Sequence, residues 1–450
     1  MRAHSSLGLS GLALALAACS SSGSGASPAA PLAKANVARA PASGAAADAL
    51  PGAVAANNAF ALDLYSRAVS ASSNANFLSS PISASLALTM TYAGAQGETA
   101  TQMATALHYG AAASTIFDGQ NALTQALASR GAAALAQAQG DAPSATPPSA
   151  SDYELEVVNS VWGQSTYPWQ SAFLNTLAAD YGTGVYLEDF TTQYAAAEDA
   201  INNWVSDETD DKINDLLPPN VLDASTRMVL VNAVHLKFPW LSPFEVSATQ
   251  PATFTRTDGT TVSTSFMNQQ ESFAYVDDGK AQIVSLPLAG QTVSVNIALP
   301  HGDLAGYEAG LTADSAVITG PQTYALVALS LPKVSFTSAS FSLASVLKAM
   351  GMTDAFDKST ADFSGLCAKT PDGDRLYIAD VLQKAMVAMA ETGVEAAAAT
   401  AVIVGGANGS VSAPPPQPVP MIVNRPYLLS IVDATGAVLF LGHIADPTAG

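Results

Sequence analysis

The chain has 450 residues, of which 49% are hydrophobic and only 12% are charged. This length fits one large domain or two to three ordinary ones, and the apolar fraction is sufficient for an extensive core. The formal net charge of −20 argues against nucleic acid and against an anionic membrane surface as binding partners.

The first 18 residues have the character of a signal peptide. A basic start precedes an apolar run from Leu7 to Ala18, which is too short to span a bilayer. The ending Leu16-Ala17-Ala18-Cys19 resembles a bacterial lipobox, which implies cleavage before Cys19 and acylation of that residue. We expect a lipid anchor in the cell envelope, at the outer membrane or cell surface, since several acyl chains bind stably. The alternative is an ordinary secretory signal with a coincidental cysteine.

Three segments of biased composition divide the chain. Residues 19–52 are small, polar or Pro/Gly, which predicts a flexible tether. Residues 131–151 form a low-complexity stretch that is interpreted as a surface insertion between a helix and a strand. The proline-rich run Pro414–Pro420 is predicted to be extended. The globular part therefore covers residues 53–447.

Helical and strand patterns alternate through this globular part. An apolar stripe containing Leu64 and Tyr65 predicts a helix that opens after Asn57, and a second helix begins at Pro81. The strongest strand patterns cover 226–237, 282–300, 324–336 and 426–444, and the last of these is a hairpin. Because no βαβ rhythm is present, the pattern predicts one α+β domain.

Catalytic motifs are not found in the sequence. The histidines have no metal-ligand spacing, and neither a phosphate-binding loop nor a G-x-S-x-G elbow is present. We therefore expect no enzyme activity, no metal and no cofactor; an unrecognised hydrolase is the weakest of the hypotheses.

Several stretches together resemble the serpin family of serine protease inhibitors. They are "NANFLSSPISASLALTMTYAGAQGETATQM", "MVLVNAVHLKFPWLSPF", "VLKAMGMTDAFDKSTADFSGL", "LYIADVLQKAMVAMAETGVEAAAATA" and "MIVNRPYLLSIVDATGAVLFLGHIADP". The resemblance runs from about residue 55 to 447. It implies three β-sheets with a large central one, eight to nine helices and an exposed reactive-centre loop.

In that resemblance, residues 391–420 are the hinge and the reactive loop. A loop that becomes a central strand needs small side chains and no proline in the ladder. The matching hinge residues contain no proline, and after Glu395 they are all alanine or threonine, which meets this need; the hinge residues are Glu391, Gly393, Val394, Glu395, Ala396, Ala397, Ala398, Ala399 and Thr400. The resemblance implies that a protease acylates the loop, which then inserts into the sheet before deacylation. The hinge favours an inhibitor over the alternative, a non-inhibitory serpin-fold surface lipoprotein that binds a ligand or partner.

The resemblance also implies two clusters around the opening of the sheet. In the shutter, under the central strands, lie Ser80, Ser83 and Asn232, with Gln383 where the family usually has histidine. In the breach, at the top of the sheet, lie Trp240 and Lys333, and Lys333 is expected to meet Glu391. As an alternative, the two serines cap a helix and Trp240 is ordinary core.

The family's spacing places the reactive bond at Ala407–Asn408, whereas a second frame places it at Val411–Ser412. Either frame presents a small aliphatic residue, and no Lys or Arg lies between Glu391 and Arg425. The expected partner is therefore an elastase- or subtilisin-like serine protease, not a trypsin-like one. The region 116–138 offers only Arg130 as a cation, so heparin-type polyanion binding is not expected, and the protein is expected to be a monomer.

Overall fold

The computed structural model describes residues 30–69, 75–141, 149–373, 375–394 and 417–449. The predicted signal peptide, Cys19, the hinge from Glu395 to Thr400 and both candidate reactive bonds lie outside these ranges.

The α-helices of the described residues lie mostly in the first half of the chain. They are α1 (Ala45–Val69), α2 (Pro81–Tyr92), α3 (Gly97–Ala106), α4 (Ala113–Ala128), α5 (Arg130–Asp141), α6 (Ser171–Thr176), α7 (Tyr194–Glu208), α8 (Leu304–Glu308), α9 (Ala316–Thr319) and α10 (Ala344–Ala349). A π-helical turn, Leu177–Tyr181, continues α6. Helix α2 begins at Pro81, as predicted, because proline at the first position has no amide that needs a partner.

The strands come from the whole described chain and are denser in its second half. They are β1 (Leu32–Ala33), β2 (Phe77–Ser79), β3 (Glu154–Gln164), β4 (Val185–Glu188), β5 (Met228–Pro239), β6 (Gln250–Thr255), β7 (Thr261–Asp277), β8 (Ala281–Pro287), β9 (Val293–Pro300), β10 (Tyr324–Pro332), β11 (Val334–Thr337), β12 (Phe341–Ser342), β13 (Val381–Gln383), β14 (Met386–Ala390), β15 (Gly393–Val394), β16 (Val419–Ile422), β17 (Tyr427–Asp433) and β18 (Val438–Ile444).

These strands form two hydrogen-bonded networks. The first has the order β1-β4-β3-β5-β15-β14-β11, with β13 pairing both β5 and β12. The second has the order β16-β10-β7-β8-β9-β17-β18-β2, with β6 on β7. The second network combines two of the three expected sheets. These two sheets share β7, which pairs with β6 and β10 along most of its length and with β8 at its end. The predicted C-terminal hairpin is confirmed as β17 and β18.

The main core lies between the two sheets. Alternate residues of β5, which are Val234, Leu236 and Phe238, belong to a buried cluster that also contains Ile82 of α2 and Ile297 of β9. The opposite face of the first sheet is covered by α7, whose Ile201 and Val205 pack with Ala233. The first sheet is therefore buried on both faces, as expected for a sheet between two layers.

Two sequence-based boundaries are wrong. Helix α1 begins at Ala45 and includes Pro51, so it starts before the predicted opening after Asn57. The alanine-rich run ahead of Pro51 has high helix propensity, and Ala46 and Ala53 are buried by packing. Likewise, the first part of the predicted insertion at 131–151 continues as α5, in which Ala134 is fully buried.

The predicted tether is also wrong for residues 30–52. Leu32 and Ala33 pair with β4, and the helix from Ala45 covers the rest of that range. Composition alone suggested a segment without contacts, but backbone pairing does not depend on large side chains.

Candidate functional site

On the side of β5 that faces β13 and β15, the first sheet is paired at both ends of the strand and has an unpaired interval between them. Near the beginning of β5, residues 230–232 pair directly with β13 in parallel. At the end of β5, Phe238 and Pro239 pair with β15. Between these points, within the described residues, no strand pairs with residues 233–237 on this side of β5. At a rise of about 3.4 Å per residue, this interval is about 17 Å long.

Three of the hinge residues are described, and two of them, Gly393 and Val394, form β15 beside the end of β5. Val394 lies opposite Phe238 on one side and Met389 on the other, and Gly393 lies opposite Pro239 and Ala390. Val394 is only 2% exposed and belongs to the main core cluster. At Gly393 a Cβ atom would lie 2.2 Å from the carbonyl oxygen of Phe238, so only glycine fits there. The chain thus enters the sheet as a further central strand.

The base of the hinge is fixed by an ion pair whose carboxylate is mostly buried and whose ammonium group is exposed. The ammonium group of Lys333 donates to Glu391 Oε2 at 2.7 Å, and the hydroxyl of Thr249 donates to Oε1 at 2.9 Å. Burial alone would raise the pKa of Glu391, but the hydrogen bonds from Lys333, the backbone and Thr249 outweigh it and lower that pKa. The carboxylate is therefore held in its charged form.

Trp240 holds the adjoining backbone. Its indole Nε1 donates to the carbonyl of Ala390 at 2.8 Å, and its amide donates to the carbonyl of Thr392 at 3.0 Å. The amide of Phe244 donates to the carbonyl of Glu391 at 2.9 Å. The rings of Trp240 and Phe244 pack edge to face, with centroids 6.2 Å apart. The residues expected in the breach therefore lie together around the base of the hinge.

Gln383 forms hydrogen bonds at the end of the sheet where β13 pairs with β5. Its Nε2 donates to the carbonyl of Ser80 at 2.8 Å and to Asn232 Oδ1 at 3.0 Å. Its Oε1 accepts from the amide of Ser80 at 3.0 Å. Glutamine thus donates and accepts at this position without a titratable ring. The hydroxyl of Ser80 donates to the carbonyl of Leu439, so this serine links the first sheet to the second.

Ser83 brings in a residue that the sequence reasoning missed. Its hydroxyl donates to Asn159 Oδ1 at 2.9 Å, and Asn159 lies opposite Asn232 in the pairing of β3 with β5. The Nδ2 group of Asn232 is buried and has no hydrogen-bond partner among the described residues. Such a group costs free energy in the closed sheet, because its desolvation is not compensated.

The described residues show neither a metal centre nor a membrane span. Across residues 30–69, 75–141, 149–373, 375–394 and 417–449, no three His, Cys, Asp or Glu side chains are grouped as metal ligands. Of the helices in the same ranges, none has the length and apolar character needed to cross a bilayer.

Two packed sheets, with an interval beside residues 233–237 of β5 that has no strand partner among the described residues and with β15 at its end, define the structural class of this chain. Comparisons with known proteins identify this class. The family model described as "Serpin (serine protease inhibitor)" matches residues 55–447. The chain belongs to the serpin family, whose members are generally protease inhibitors.

Relatives and solved structures cover most of this chain. Plasminogen activator inhibitor 2 of Homo sapiens is 31% identical, over 87% of this chain and 99% of its own length. Leukocyte elastase inhibitor of Sus scrofa is 32% identical, over 87% of this chain and 99% of its own length. The native-state crystal structure of tengpin, a thermophilic serpin, covers 93% of this chain and 100% of its own, with a TM-score of 0.76 and 26% identity.

Proposed function

We propose that this protein is an irreversible suicide-substrate inhibitor of serine endopeptidases of the elastase or subtilisin type. The protease attacks the reactive loop and forms an acyl-enzyme. The freed loop then inserts between β5 and β14, and the attached protease is carried away and distorted before water can release it.

The opening between β5 and β14 is the observation that carries this proposal. Residues 233–237 of β5 lack a strand partner on this side within the described chain, and β15 already begins the missing strand. Insertion of about a dozen residues would add roughly a dozen hydrogen bonds at about 1 kcal/mol net each. It would also bury apolar side chains, as Val394 is buried now. This free energy is available only after cleavage frees the loop.

Hinge composition supports rapid insertion. From Glu395 to Thr400 the sequence has one charged residue followed by four alanines and a threonine. Every second side chain would follow Val394 into the core, and alanine and threonine fit there without displacing neighbours. Rapid insertion matters because it competes with hydrolysis of the acyl-enzyme.

The specificity proposal depends on the loop sequence. Both candidate bonds, Ala407–Asn408 and Val411–Ser412, offer a small aliphatic side chain to the primary pocket. A protease whose primary pocket is small or shallow and apolar accepts such a side chain. A protease whose pocket carries a buried carboxylate needs a cationic side chain, which neither bond offers. The similarity to leukocyte elastase inhibitors agrees with this preference.

For location, we propose a lipid anchor at Cys19 that holds the inhibitor at the cell envelope. The apolar run up to Ala18 and the lipobox-like ending support this proposal.

The test is to mix the purified protein with pancreatic elastase and to resolve the products in SDS. The proposal expects a covalent complex that resists SDS and loss of protease activity near a 1:1 ratio. Accumulation of loop-cleaved protein with full protease activity would overturn it and leave a non-inhibitory member of the family.

A further inference from the structure

The first half of strand β3 has a free backbone edge. Residues 154–163 pair with β5 on one side, but β4 covers the other side only from Val161 to Gln164. Among the described residues, no strand pairs with residues 154–160 on that other side, and no loop or turn forms backbone hydrogen bonds with them. Alternate residues of an antiparallel strand point their N–H and C=O groups away from the partner strand. About half of residues 154–160 therefore offer unpaired backbone groups to a further strand.

A cavity of about 520 Å³ follows this free edge. Residues 153–159 of β3 form its floor, α4 and α5 flank one side with Leu127, and α7 flanks the other side with Trp204. We call this space the edge groove. At one end α5 approaches β3 closely, since a Cβ atom at Gly131 would lie 2.2 Å from the carbonyl oxygen of Tyr153. An extended segment of about seven residues, about 24 Å long, matches the length of the free edge.

The edge groove is acidic. Glu154, Glu156 and Glu208 line it, and the lining residues of the described chain include no lysine or arginine. Burial raises the pKa of Glu156, the nearby His235 lowers it, and Asp210, Glu154 and Glu208 raise it further. These carboxylates thus repel one another, and a cationic group placed between them would relieve that repulsion.

The lysine that faces Glu154 across the two strands does not neutralise the edge groove. Lys237 lies opposite Glu154 in the pairing of β3 with β5. Its ammonium group donates to the carbonyl of Ser151 and lies 3.9 Å from Asp152 Oδ1. The partly exposed indole of Trp204 adds an aromatic face to the same wall, and such faces attract cations.

The two faces of β3 divide the edge groove into a charged side and an apolar side. Glu154 and Glu156 share a face with Val158, which packs in the cluster beneath α7. Leu155 points the opposite way and packs in the main core cluster with Leu127 of α4. An added strand beside β3 would therefore meet carboxylates at every second position and apolar side chains at the positions between.

No segment of this chain outside the described residues has the composition that such an edge requires. Residues 142–148 carry three prolines and no cation, and residues 395–416 carry no lysine or arginine. Proline cannot donate a ladder hydrogen bond. A second copy of the chain, with a net charge of −20, would be repelled as a whole. Charge complementarity therefore favours a different protein as the occupant.

We propose that the edge groove is a docking site for an extended, cationic segment of a partner protein, which adds to β3 as a further strand. The segment's backbone pairs with residues 154–160, and its alternate Lys or Arg side chains lie against Glu154, Glu156 and Glu208. The apolar side chains between them lie against Leu127. This docking does not depend on insertion of the reactive loop.

The test measures binding of a defined probe to the full chain by calorimetry at low salt. The probe is a seven-residue peptide of alternating lysine and valine, with an acetylated N-terminus and an amidated C-terminus. We expect it to bind the wild type at a 1:1 ratio. In Glu154→Gln/Glu156→Gln/Glu208→Gln the Kd should rise at least about tenfold, because the three charges that face the lysines are removed.

A matched control removes three carboxylates elsewhere. Glu98→Gln/Glu245→Gln/Glu271→Gln changes the net charge by the same amount at exposed positions outside the edge groove. It should bind the probe as the wild type does. Equal weakening in both variants would show that only the overall charge attracts the peptide, and it would overturn the site.

Backbone pairing is tested with a second peptide in which proline replaces each valine. Its charge is the same, but it cannot form the ladder, so we expect it to bind at least about tenfold more weakly. Hydrogen exchange of the edge-facing amides in residues 154–160 should be fast in the free protein and slow with the first peptide.

Four results would overturn the proposal. They are no binding of the lysine–valine peptide, equal binding of the proline peptide, amides of residues 154–160 that are already protected in the free protein, and self-association in sedimentation that the triple glutamine variant abolishes. The third result would mean that a segment of this chain covers the edge, and the fourth that a second copy does.

Discussion

Substitution of Val394 by arginine should convert the inhibitor into a substrate. Val394 is 2% exposed and packs in the main core cluster beside Phe238 and Met389. Loss of its burial costs about 1.5–3 kcal/mol, and burial of an unpaired cation costs several kcal/mol more. The few ladder hydrogen bonds of β15 contribute about 1 kcal/mol each and cannot offset this cost. The hinge should therefore leave the sheet.

An added barrier of about 4 kcal/mol slows insertion by roughly a thousandfold, because each 1.36 kcal/mol is a factor of ten in rate. Hydrolysis of the acyl-enzyme then outruns insertion. The assay titrates elastase with each protein and measures how many inhibitor molecules are consumed per protease inactivated. We expect this ratio to rise at least about tenfold in Val394→Arg while loop cleavage continues.

The matched control is Val246→Arg, which places the same side chain at a position that is 70% exposed. It should inhibit like the wild type. If Val394→Arg also forms the covalent complex at the wild-type ratio, the insertion frame assigned to Val394 is wrong.

Tyr427→Phe should raise the free energy of unfolding by about 1 kcal/mol in urea titrations, because the buried hydroxyl has no partner among the described residues; a loss of stability would show that it has one. The pKa of Glu391 is lowered on folding, so its stabilising contribution is present at neutral pH and is lost as the pH falls below about 4.5 through that pKa. The gap in melting temperature between wild type and Glu391→Gln should therefore close in acid, and a constant gap would contradict this. Cys19→Ser should move the protein to the soluble fraction with unchanged inhibition, and after elastase treatment its small C-terminal fragment should begin at Asn408; a fragment beginning at Ser412 would select the second frame.

The family motifs were readable from sequence because they depend on strong local constraints. The glycine at 393, the alanine run after it and the polar residues Ser80 and Ser83 stand out in one sequence. The structure places Gly393 where a Cβ would collide with the neighbouring strand, which explains its identity. Alternation likewise indicated that Val394 shares a face with later hinge residues.

The contacts that the sequence did not reveal are backbone-mediated or distant in the chain. Residues 31–33 bind β4 through backbone carbonyl and amide groups, which composition does not report. Asn159 meets Ser83 only because β3 and α2 pack together, and no local pattern predicts that contact.

The most direct test of loop insertion is the effect of loop cleavage on the intact protein. Cleavage of a chain ordinarily lowers stability, but insertion would fill the interval beside residues 233–237 of β5. We expect the melting temperature to rise by tens of degrees, on the order expected for ten or more kcal/mol in a large domain. Amides of residues 233–237 that point into the interval should at the same time become protected from hydrogen exchange. A melting temperature that falls or stays the same after complete cleavage would contradict loop insertion.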